Sequence, residues 1–98
     1  MSVQLTELVR QQVAKTFAPE AAALVIAELE AAELPLIANN GERVHLAILH
    51  LCQGDLGLFD RDLRIAKTDW RDTLVAAGLA HGNWPEVLRS RGIEISRT

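Results

Sequence analysis

The chain has 98 residues, 49% of them hydrophobic, and sets ten Lys and Arg against thirteen Asp and Glu for a formal net charge of −3. That is the length of one small domain, apolar enough to build a packed core and unlike the compositions that stay disordered. The acidic balance excludes a broad, non-specific nucleic-acid footprint, and the one cysteine, Cys52, excludes an internal disulfide and points to a reducing compartment.

In chain order, Met1 to Glu7 carry neither a basic cluster nor an apolar run, so no secretory leader is expected. A first helix is expected from about Ser2 to Phe17. Its apolar stripe is Leu5, Leu8, Val9, Val13 and Phe17, with Gln4, Glu7, Arg10, Gln11 and Lys15 facing out. Pro19 suits the first turn of a second helix reaching about Glu33, with Val25, Ile26, Leu29 and Ala32 inward. The longest apolar run, Ala21 to Ala27, is seven residues, far short of the ~20 that cross a bilayer. No membrane is therefore expected as a partner, and the location expected is cytoplasmic.

Asn39 to Glu42 reads as a turn and cap before the most hydrophobic helix, about Gly41 to Gln53. Val44, Ala47, Ile48, Leu51 and Cys52 share one side. Arg43, His50 and Gln53 share the other, with Leu46 and Leu49 on the flank. This helix should be central, with two neighbours. Gly54 ends it and Asp55 caps a fourth, about Leu56 to Lys67. There Leu56, Phe59, Leu63 and Ala66 form one stripe, and Leu58 and Ile65 a second on nearly the opposite side.

Asp69 caps a fifth helix, Trp70 to Ala77, closed by Gly78. Asn83-Trp84-Pro85-Glu86 opens a sixth that runs to about Arg91, with Gly92 left-handed and Ile93 folding back on Leu88. The expected fold is all-α: a compact irregular bundle, or a minimal α-solenoid-like array, of five to six short helices. Residues 1–93 form a single helical domain and 94–98 a frayed C-terminal tail.

Chemistry has little to work with in this inventory. His45, His50 and Cys52 share a helix, but separations of five and two residues do not converge as metal ligands must, so no metal or other cofactor is expected. Asp55, Asp60, Asp62, Asp69 and Asp72 are interleaved with Arg61, Arg64, Lys67 and Arg71, the pattern of a solvated, charge-mixed face. No nucleophile motif or glycine-rich phosphate loop is present, and Cys52 reads as a small buried hydrophobe. Trp70 and Trp84, at helix starts, seal junctions between helices or anchor an interface. Leu46, Leu49, Leu58 and Ile65 remain as surplus apolar surface, the candidate interface.

Arg43-Val44-His45-Leu46-Ala47-Ile48-Leu49, then Gly54-Asp55-Leu56, then Ala66 to Leu79, resemble short bacterial all-helical proteins of uncharacterised function. The resemblance spans about residues 41–88, roughly half the chain, and leaves out residues 1–40. It implies an all-helical fold in a bacterial cytoplasm and brings no activity and no functional residue.

The function expected from these residues is a small, non-catalytic helical protein-interaction module that binds a protein partner or itself. An enzyme or accessory subunit using His45 with Asp60 or Asp62 is the alternative. A nucleic-acid binder through the Arg89–Arg97 end is the second, with nucleic acid disfavoured as a partner by the charge.

Overall fold

The computed structural model describes residues 5–32, 41–81 and 83–93. These form six helices and no strand: α1 (Glu7–Thr16), α2 (Pro19–Ala31), α3 (Gly41–Cys52), α4 (Leu56–Thr68), α5 (Trp70–Ala77) and α6 (Trp84–Ser90). The fold is an all-α bundle. The expected tail at 94–98 and the expected cap at Asn39 and Asn40 lie outside the described residues.

Three of the helix starts follow from side-chain capping. α1 begins later than its apolar period suggests, because the Thr6 hydroxyl accepts a hydrogen bond from the Val9 N–H (3.3 Å) and holds Thr6 extended. Asp55 opens α4 by accepting from the Leu58 N–H (3.0 Å). Asp69 ends one helix and starts the next: its N–H donates to the Ile65 carbonyl (2.7 Å), while its carboxylate accepts from the Arg71 N–H (3.1 Å). Asn83 makes no such side-chain bond, so α6 opens on its proline alone, in contrast to the expected cap.

α5 and α6 close with the same device. The Leu79 N–H reaches back to the Leu74 carbonyl (2.8 Å) across left-handed Gly78, and the Ile93 N–H to the Leu88 carbonyl (2.9 Å) across left-handed Gly92. In each case an apolar residue past the helix end folds onto the last turn, as a Schellman motif requires.

α3 is the hub. It packs against α1, α4 and α5, while α4 also meets α5 and α2 rests on α1. That is three neighbours where two were expected. It buries every residue from Val44 to Leu49, the polar His45 among them, so this stretch is covered on every side. Contacts radiate from this helix rather than repeat along an axis, and the trace measures 32 × 26 × 23 Å, which favours the irregular bundle over the solenoid-like array. Phe17 meets Phe59 edge to face (6.2 Å, 78°), tying the end of α1 to α4. Trp70 and Trp84 are half-buried against the core, each with an arginine 5.5 Å from its ring, Arg71 and Arg43 respectively.

Leu46 and Leu49 are not surplus surface: they are 1% and 5% exposed. The flank they occupy is covered by α1, a neighbour that the helical projection of α3 alone could not supply. Leu58 is half-buried against the core, and only Ile65 of the four candidate interface residues stays open, at 42%. Leu56, placed in the core stripe, is instead exposed, because it is the first residue of α4 and lies beyond the reach of α3.

Candidate binding cleft

Helical spacing brings one set of polar side chains together. Gln12, Lys15 and Thr16 stand at i, i+3 and i+4 on α1 and share one face. Leu46, Leu49 and His50 stand at i, i+3 and i+4 on α3 and share another, and Gln53 follows in the turn just past the helix. α1 packs on α3, so these two faces form the walls of a cleft of about 330 Å³. The Schellman turn after α6 closes the third side with Arg91 and Ile93.

Two glycines set the frame. Gly54 is left-handed (φ +81°), and a Cβ there would lie 2.8 Å from the Thr16 carbonyl oxygen, so the α3–α4 turn presses directly on the last turn of α1. Gly78, also left-handed, lets the Arg91 guanidinium come close, with Nη2 3.1 Å from where a Cβ would stand. Arg91 is thus seated at the C-terminal end of α5, where the helix dipole favours a cation. Gln53 carries the one left-handed φ (+47°) of a non-glycine residue among those described. Such a conformation costs about 1–2 kcal/mol and is usually left to glycine.

The cleft is cationic. Lys15 and Arg91 face it, no carboxylate lines it, and neither cation forms an ion pair among the described residues. Burial, helped by the Arg91 charge, holds the His50 imidazole below its usual range, so it is neutral at pH 7. His50 was expected to be exposed beside Arg43. It is half-buried and faces Arg91 instead.

The residues proposed for catalysis do not assemble. His45, expected at the edge of the core face, is 2% exposed, and burial pushes its imidazole down to about 4. The charge that bears on it is that of Glu42, not Asp60 or Asp62. Its Nε2 lacks a hydrogen-bond partner among the described residues. Asp62 was expected on the solvated face but is 3% exposed, held by Arg61 through one oxygen (3.2 Å) with the other unbonded. It acts on Cys52, whose thiol is raised mainly by burial. Cys52 lies two turns beyond His45, roughly 10 Å along the helix axis. Asp60 stays exposed and pairs with Arg64 one turn on.

Elsewhere, Arg89 is exposed on α6, Arg91 belongs to the cleft, and Arg97 lies outside the described residues. Among the described residues no three His, Cys, Asp or Glu side chains cluster as a metal site, and no helix is long and apolar enough to cross a membrane.

Reasoning on single helices missed the cleft because its members look like ordinary outer-face residues. The available signal was a pair of polar steps, Gln12 to Lys15 and His50 to Gln53, each at i,i+3 on helices that had to pack together. Comparison of the chain with protein-family models, curated proteins and solved structures returned no match.

Proposed function

We propose that the protein is a non-catalytic helical interaction module whose cleft between α1, α3 and the turn after α6 receives an anionic group of a protein partner. The observation that carries this reading is the cleft's charge: Lys15 and Arg91 face it with no carboxylate among the described residues of its lining. A pair of cations without counter-charges attracts an anion from a partner and speeds its encounter. The strain at Gln53 supports the same reading, since left-handed non-glycine residues gather at ligand sites. Burial of Cys52 is in keeping with a reducing cytoplasm.

The test is photo-crosslinking in cells from a reactive side chain placed at Gln12, on the cleft rim, and as control at Ala76, exposed on α5. Protein adducts specific to position 12, lost when Lys15 and Arg91 are both changed to Glu, are expected. Equal adducts at both positions, or adducts indifferent to the charge reversal, would overturn the reading.

The self-associating form of this module draws on Ile65 (42% exposed) and Val75 (66% exposed) on the outer side of α4 and α5. Sedimentation across a hundredfold concentration range tests it; a constant monomer mass removes it.

A further inference from the structure

The chemistry of the cleft narrows the anion, an inference that rests on the cleft being the binding surface. Its polar rim and apolar floor are distinct. Arg91 offers a planar fork of donors, the geometry that matches a carboxylate with two parallel bonds. Lys15 adds a point charge from the opposite wall, and the Gln12 and Gln53 amides with the Thr16 hydroxyl supply neutral donors. The apolar base is Ile93, half-buried, with Leu46 and Leu49 almost fully covered behind it. At about 330 Å³ the cleft is near the lower end of the roughly 300–1,000 Å³ of ligand pockets. It holds a small acid or the last residue or two of a peptide.

A compact phosphate would satisfy the rim but leave the floor in water. An acidic side chain in mid-peptide would bring backbone with it, and the apolar base offers that backbone no hydrogen bond. A carboxylate borne on a short aliphatic chain uses both parts.

We infer that the cleft is an aliphatic carboxylate site, with the carboxylate between Arg91 and Lys15 and the apolar body against Ile93. A free aliphatic acid and the C-terminus of a polypeptide ending in an apolar residue share this chemistry.

Calorimetric titration of the full chain separates them, using four probes: a hexapeptide ending in a free Leu, the same peptide amidated, hexanoate and inorganic phosphate. The free-acid peptide or hexanoate should bind at least about tenfold more tightly than the amide and phosphate, the loss of one charge-assisted contact. Preference for the peptide identifies a polypeptide C-terminus as the source, and preference for hexanoate a free acid. Arg91→Gln should weaken binding at least about tenfold, Lys15→Gln less, and Arg91→Lys should restore only part, because it keeps charge without the fork. Both positions are exposed enough to leave folding intact, which circular dichroism checks. Equal affinity for acid and amide, tighter binding of phosphate, no binding by any probe, or indifference to Arg91→Gln overturns the carboxylate assignment. The interaction module itself still stands if the position-12 adducts persist.

Discussion

The two ends of α3 carry similar residues and meet opposite fates. Near its start, His45 is buried, its Nε2 without a hydrogen-bond partner among the described residues and its imidazole held down to about 4. Five residues on, His50 opens into a cleft beside Arg91, half-buried and within reach of solvent. The difference lies not in the residue type but in what covers it. At the first, packing leaves His45 only 2% exposed. At the other, α1 stops at Thr16 and the turn after α6 leaves a gap. A buried imidazole without a partner is a cost to the fold, whereas a partly wet one among cations can meet a ligand.

The most forceful way to break the comparison is at Gly54, which holds the open end in shape. Gly54→Ala puts a side chain in the left-handed region and 2.8 Å from the Thr16 carbonyl oxygen, a backbone atom that cannot swing away. A loss of about 3–4 kcal/mol is expected, lowering Tm by roughly 15–25 °C in thermal unfolding. Gly92→Ala is the control. It has the same strain (φ +82°) with nothing within 4 Å, so it should cost only about 1–2 kcal/mol. Equal losses would show that the contact with α1 contributes nothing.

The sealed end is tested by acid. The unfolded imidazole of His45 takes a proton at about 6.5, and the folded one only at about 4. Between those values the unfolded state binds more protons, so the contribution is intact above pH 6.5 and lost as pH falls towards 4. The loss amounts to about 3 kcal/mol. Urea unfolding of the native chain against His45→Leu should reveal this slope as a difference between the two. At pH 7 His45→Leu should be no less stable, since it removes an unbonded buried nitrogen. Parallel pH profiles would place His45 in water.

A smaller effect sharpens the open end. Gln53→Gly relieves the left-handed strain and should raise stability by about 0.5–1 kcal/mol in denaturant unfolding. If glutamine is kept for the cleft, the same change should weaken carboxylate binding; a variant more stable and equally competent would leave the strain without a use. Smallest of all, Asp60→Asn on the outer face of α4 breaks a fully wet pair. It should cost below about 0.5 kcal/mol, fading further in salt.

Local signals in the sequence reached the helices themselves. Caps at Asp55 and Asp69, left-handed glycines at 54, 78 and 92, and the Ile93 fold-back onto Leu88 all lie where residue chemistry puts them, because each acts within one turn of chain. The start of α1 was missed by a few residues because the apolar period at Leu5 outran the Thr6 cap, and a stripe carries no stop signal of its own. The candidate site was not legible. Lys15 on α1 and Gln53 and Arg91 in the turns after α3 and α6 are unremarkable locally and become a cleft only when α1 and the C-terminal turn are set against α3. Leu46 and Leu49 were misread for the same reason.

What the sequence alone determined, then, was the all-helical class, most helix ends and the inward stripes of α1 and α2, since these depend on interactions between residues a few positions apart. The tertiary structure decided which faces of α3 are covered, that His45 and Asp62 are buried, and that Lys15 and Arg91 line one cleft with no carboxylate among its described lining residues. Those outcomes depend on contacts between segments far apart in the chain, and a helix's own periodicity says how its side chains are arrayed but not which neighbour meets them.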